Sequence, residues 1–131
     1  MTALYSMNIS ISPLLATVSA ALIEDGAADE IPVERKADIQ KRNLVVDQIL
    51  NRFVIPSGST SPLRAIQLPE YFTGKSFEIC ARQAGVEVYG AERFSVGNKT
   101  PEKIVRISIT TPPCIEILTD GLERLRKLLQ Q

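Results

Sequence analysis

Apolar residues recur at helical spacing in four stretches of the chain, and strand-like runs lie between them. Leu15, Val18 and Leu22 mark the first stretch. Ser12-Pro13 reads as an N-cap followed by proline at the first helical position, and Gly26 reads as the stop after Glu24. A longer stretch runs from about Ile31-Pro32 to Asn51 or Phe53. In it Ile39, Val46, Ile49, Leu50 and Phe53 share one stripe, and Glu34, Asp38, Lys41, Arg42 and Asp47 occupy the rest. At about 20 residues this helix would be roughly 30 Å long, a length suited to joining two parts of a larger protein. Ala27–Glu30 reads as a connector between the two helices.

Pro56-Ser57-Gly58-Ser59-Thr60-Ser61-Pro62 is the strongest breaker. Beyond it the pattern predicts a strand over Leu63–Leu68, closed by Pro69. A helix over Lys75–Ala84 follows, capped by Thr73 and stopped by Gly85, with Phe77, Ile79, Cys80 and Ala84 as its apolar positions. Val86–Tyr89 reads as a short strand and Ile104–Thr110 as a longer one. Thr111-Pro112-Pro113 opens a last helix with Ile115, Leu118, Leu122, Leu125, Leu128 and Leu129 on one face. The predicted class is α+β, a small sheet of about three to four strands with helices packed on one face. Two helices, one of them long, precede it. The division falls at the breaker, giving a helical segment over 1–53 and a sheet-bearing domain over 54–131.

Composition narrows the function classes. The 131 residues are 44% hydrophobic and 23% charged, which suits a folded chain rather than a disordered one. Lys+Arg and Asp+Glu balance at 15 each, so no net field draws the chain to nucleic acid or to an acidic membrane. No apolar run approaches membrane-spanning length, and the N-terminus lacks signal-peptide character, so a cytoplasmic location is expected. There is no histidine, which removes the commonest metal ligand and general base. Cys80 and Cys114 form no Cys-x-x-Cys pair and read as reduced structural thiols, and no metal site is expected. Gly58, Gly90 and Gly97 read as isolated turn glycines, not a phosphate loop.

One residue carries a chemical expectation. Arg106 sits between Val105 and Ile107 in a strand, and a guanidinium there must meet an anion or reach water, because an unpaired desolvated charge is costly. From the residues alone two readings stand: a ligand-binding arginine, or a side chain reaching the sheet edge to pair with Glu92 or Glu102.

The order of motifs resembles the C-terminal part of fold-type I aminotransferases, which depend on pyridoxal phosphate. The pieces are Ser12-Pro13-Leu14, Leu22-Ile23-Glu24-Asp25-Gly26, the long helix with Arg42-Asn43, and Leu68-Pro69-Glu70. They continue through Ala84-Gly85-Val86-Glu87-Val88 with Gly90 and Phe94, Val105-Arg106-Ile107-Ser108, and Gly121-Leu122 with Arg124-Leu125. Ser12-Pro13-Leu14 and Ile23-Glu24-Asp25-Gly26 look most like the GntR/MocR-type transcriptional regulators, whose aminotransferase-like domain follows a winged-helix DNA-binding domain. The resemblance implies that 1–53 is the end of a large domain plus the interdomain helix, and that 54–131 is the small domain. It implies that Arg106 binds the α-carboxylate of an amino-acid ligand, two parallel donors matching the two carboxylate oxygens.

The same resemblance implies pyridoxal phosphate in an intact parent but no cofactor and no catalytic residue in this chain. The Schiff-base lysine, the acid facing the pyridine nitrogen and the phosphate-binding groups belong to the large domain. Lys36, Lys41, Lys75, Lys99, Lys103 and Lys127 read instead as solvated charge. On this view the chain is a fragment, inactive alone, whose partners are the missing large domain and, for the parent, a second copy in a homodimer. DNA contact, if the parent is a regulator, falls to a domain outside this chain. The alternative is a non-catalytic α+β regulatory or protein-interaction module, with the leading helices as a docking arm.

Overall fold

The computed structural model describes residues 12–96 and 102–130. The elements in chain order are α1 (Pro13–Glu24), α2 (Ala27–Leu50), β1 (Leu63–Gln67), α3 (Gly74–Gln83), β2 (Tyr89–Gly90), β3 (Ile104–Ser108) and α4 (Ile115–Leu129). They fall into two compact units, Met1–Arg35 and Lys36–Gln131, and the division lies inside α2. The fold class is α+β, as the pattern predicted.

In the first unit, α1 starts at Pro13 and is stopped at Gly26, which adopts φ +78° and donates its N–H to Ile23 O. No residue of α1 is buried: Leu14, Leu15, Val18, Leu22 and Ile23 are all exposed. The helix that follows begins four residues earlier than the sequence suggested. Ala27–Glu30, expected as a connector, is helical. Two alanines favour the helix, and Asp29 and Glu30 in its first turn face the positive end of the helix dipole. Pro32 is therefore inside the helix rather than at its start.

The second unit is built on a three-stranded antiparallel sheet in the order β1-β3-β2. β1 and β3 pair Leu63 with Ser108 through Gln67 with Ile104, and β2 pairs Tyr89 with Arg106 and Gly90 with Val105. Alternation along the strands turns Arg64, Ile66, Val105 and Ile107 to one face, where they are buried. That face is covered by Phe77 and Ala81 of α3, by Leu118, Leu122, Leu125 and Leu129 of α4, and by Val46 and Leu50 in the last turns of α2. The α2 and α4 stripes lie where the 3.6-residue period placed them. On α3 the stripe is rotated: Ala81 is buried and Ile79 exposed.

Local signals set the α3 boundaries. The Thr73 hydroxyl accepts from Ser76 N while Ser76 Oγ accepts from Thr73 N, a reciprocal cap, and Gly85 ends the helix at φ +79°. The short strand expected over Val86–Tyr89 is instead the two residues Tyr89–Gly90, because only these pair with β3. Among the described residues no helix is long and apolar enough to cross a membrane, and no cluster of metal-ligating side chains is present. Cys80 and Cys114 are free thiols.

Candidate functional site

The other face of the sheet carries Leu63, Ala65 and Gln67 from β1, Ile104, Arg106 and Ser108 from β3, and Tyr89 from β2. None of these is buried. Register places Ala65, Arg106 and Tyr89 side by side across the three strands, with the arginine in the middle. Among the described residues Arg106 enters no ion pair. Neither acid expected from the sequence pairs with it: Glu92 Oε1 accepts from Lys75 N at the start of α3 (3.2 Å), and among the described residues no ion pair joins Arg106 to Glu102. Its guanidinium carbon instead lies 3.7 Å from the centre of the Phe94 ring.

A second arginine stands beside it in a different electrostatic state. Arg93 lies over the Tyr89 ring at 5.1 Å, but its Nε and Nη2 donate to Glu78 Oε1 and Oε2 at 2.8 and 2.9 Å. Glu78 Oε1 also accepts from Gly90 N at 2.6 Å, so this carboxylate ties α3 to β2 and to the turn after it. The Arg93 guanidinium holds the Glu78 carboxyl below its ordinary value of 4.5, against the opposing effect of burial, and the Gly90 N–H adds to the lowering. Because the folded value is depressed, the stabilisation is complete above the unfolded value and is lost as pH falls through the folded one. Glu78→Gln should therefore be less stable than the parent chain near neutral pH, and the gap should narrow below about pH 4.5. Urea midpoints of both chains across an acid series would test this; a gap that stays constant would contradict it.

Two buried groups escaped the sequence reading. Arg64, in the same apolar-flanked strand setting as Arg106, points to the covered face and is 3% exposed, held by Asn43 Oδ1 and Asp47 Oδ1. The signal was there in Leu63-Arg64-Ala65-Ile66, since alternation puts Arg64 on the same side as Ile66. Arg42 is buried as well and donates to the carbonyls of Ile109 and Pro112. Both arginines are anchored by oxygen partners within the fold, whereas Arg106 has none among the described residues.

The residues described do not fit the pyridoxal cofactor itself. Lys103 Nζ is tied to the Glu70 carboxylate and carbonyl, and Lys36, Lys41, Lys75 and Lys127 are exposed. Lys99 and Gly97 lie outside the described residues. A recess of about 480 Å³ lies beside α4, lined by Val86, Pro112, Pro113, Ile117 and Leu122, but it does not include Arg106. Its Asp120 and Arg124 pair with each other at 2.6 Å.

No family model matches the chain. It is 38% identical over 127 residues to the uncharacterized HTH-type transcriptional regulator YdeF of Bacillus subtilis (strain 168), an alignment covering 97% of this chain and 28% of that protein. The chain thus spans little more than a quarter of that regulator. Among solved structures, an archaeal alanine:glyoxylate aminotransferase superimposes with a TM-score of 0.69 at 17% identity, over 84% of this chain and 28% of that one. MppP, soaked with its product 2-ketoarginine, gives 0.70 at 20% identity over 94% of this chain and 35% of that one. The aromatic aminotransferase of Pyrococcus horikoshii OT3 gives 0.57 at 25% identity over 80% and 27%. These likenesses bear out the resemblance drawn from the sequence: the chain has the fold of part of an aminotransferase and matches part of an HTH-type regulator.

Proposed function

We propose that this chain is the C-terminal small domain of a pyridoxal-phosphate-dependent aminotransferase-like protein of the GntR/MocR regulator type, and that Arg106 there takes the α-carboxylate of an amino-acid ligand. The observation that carries the reading is Arg106 itself, an arginine on the uncovered face of the sheet with no acid bonded to it among the described residues. Every other buried or half-buried guanidinium of the sheet and its helices already has an oxygen partner. The chain supplies one side of a ligand clamp; the cofactor-holding lysine and the groups around it come from the remaining length, which forms the large domain. Bound there, pyridoxal phosphate would supply imine chemistry to an amino group, while Arg106 orients the ligand's carboxylate through paired donors. The identity to an HTH-type regulator favours a sensing role over turnover.

The test uses the longer protein carrying a lysine-bearing domain, titrated with amino acids while the cofactor absorbance is recorded. Arg106→Lys should raise the amino-acid concentration needed for half the spectral change by about tenfold, because a point charge replaces a two-pronged donor. The cofactor spectrum before addition should be unchanged. An unaltered concentration dependence would remove Arg106 from the ligand site.

A specific observation keeps a second reading in view. The apolar side chains of α1 are uncovered along its length, which suits a docking arm. In the fragment reading that surface faces the rest of the longer protein. As a free-standing interaction module, the chain would self-associate in sedimentation runs at rising concentration.

A further inference from the structure

We infer that Phe94 is a positioning residue for Arg106, its ring holding the guanidinium so that the in-plane donors stay open to a carboxylate. The inference rests on the reading of Arg106 given above. Three observations support it.

The first is distance. At 3.7 Å from the ring centre, the guanidinium carbon is at van der Waals contact and so lies nearly above the middle of the ring. A stacked guanidinium uses its face on the aromatic ring and leaves its N–H groups pointing outward in their own plane, which is where a carboxylate binds.

The second is exposure. Phe94 is 48% exposed and is absent from the apolar core, so packing does not account for the ring. Yet the turn that delivers it is pinned. Phe94 N and Ser95 N both donate to Ala91 O at 2.9 and 3.0 Å, and the neighbouring Arg93 is clamped by Glu78 of α3. The fold thus fixes the backbone of an aromatic residue that it does not bury.

The third is the contrast between two neighbouring arginine–aromatic pairs. Arg93 over Tyr89 has its donors consumed by Glu78, whereas Arg106 over Phe94 has the ring as its only described partner. Without the ring, the side chain would be free to swing among solvated rotamers, and a carboxylate would have to order it on binding.

The experiment uses the 131-residue chain, with propionate as a monocarboxylate probe, observed through the Arg106 Nε–H and Hδ resonances. The parent chain should show ring-current-shifted Arg106 Hδ signals and a saturable propionate response. Phe94→Leu should abolish the ring-current shift and weaken propionate binding about two- to fivefold, the range of a solvent-exposed cation–π contact. Phe94→Tyr should keep both, and α4 amide signals should stay in place in either variant. Propionate binding that Phe94→Leu leaves unchanged would overturn the role of Phe94 alone. Failure of propionate to perturb Arg106 in the parent chain, with the ring-current shift present, would instead overturn the carboxylate reading on which it rests.

Discussion

Asn43→Leu should lower the unfolding free energy by about 3–5 kcal/mol, the cost of stripping one partner from a buried charge. Asn43 is 3% exposed, and its Nδ2 donates to the carbonyls of Ile39, Ser59 and Ser61 at 2.9–3.0 Å. Its Oδ1 accepts from Arg64 Nη1 at 2.6 Å. Leucine keeps the branched shape and the number of heavy atoms while removing every hydrogen-bonding group, so the loss is chiefly polar. The Ser59 and Ser61 carbonyls belong to residues on an exposed or half-exposed loop and can turn to water. Arg64 cannot, since only 3% of it is exposed and its Nε already lacks a partner among the described residues. With Asn43 gone, Asp47 is the sole anchor left for that guanidinium among the described residues. The combined change Asn43→Leu with Arg64→Met should recover much of the loss, because replacing a buried polar pair by apolar groups avoids the stranded charge. Urea unfolding of the two variants decides the matter. A single-variant loss below about 1 kcal/mol would mean that water reaches Arg64 after all.

That prediction concerns residues whose importance was only partly legible in the sequence. Arg42-Asn43 stood out as part of a family-like motif, but their physical role depends on partners 16 to 70 positions away along the chain, at Ser59, Arg64, Ile109 and Pro112. No local pattern encodes such distances. Local signals, by contrast, were dependable. The Thr73 cap, the Gly85 stop and the leucine stripe of α4 each act within a few residues, and each appears where expected. The strand with Arg106 was equally plain, and which of its faces the helices leave open became evident only with the register. Val88 shows the limit: β-branched, apolar and buried, it reads as strand, yet only Tyr89 and Gly90 pair with β3 and β2 is two residues long. Phe94 was visible as a member of a motif, but its approach to Arg106 depends on a turn of three residues that periodicity does not reveal.

Gly90 shows how a glycine can be required without an unusual backbone angle. Read from sequence it is a turn residue, yet its φ is −68°, which any residue adopts. The constraint is close approach. A β-carbon on Gly90 would lie 2.9 Å from the backbone Cα and carbonyl carbon of Gly74, and one on Gly74 would lie 2.9 Å from Gly90 Cα. The two glycines let the first turn of α3 rest directly on β2, which brings Gly90 N within 2.6 Å of Glu78 Oε1. Gly90→Val should therefore cost roughly 3 kcal/mol: the Glu92 carboxylate, which also stands in the way, can rotate aside, but the Gly74 backbone cannot. The contrast is Gly58→Ala, where a β-carbon meets nothing within 4 Å and stability should change little. The strain also has a direction. β2 would be pushed from α3, the Glu78 contact to Gly90 N would lengthen, and Tyr89, paired with Arg106 across the strand, would move with it. A Gly90→Val chain that keeps its urea midpoint and the amide shifts of Tyr89 and Arg106 would show that the α3–β2 contact yields more readily than the backbone distances imply. If both change together, the glycine pair is what sets the edge of the sheet on which Arg106 is displayed.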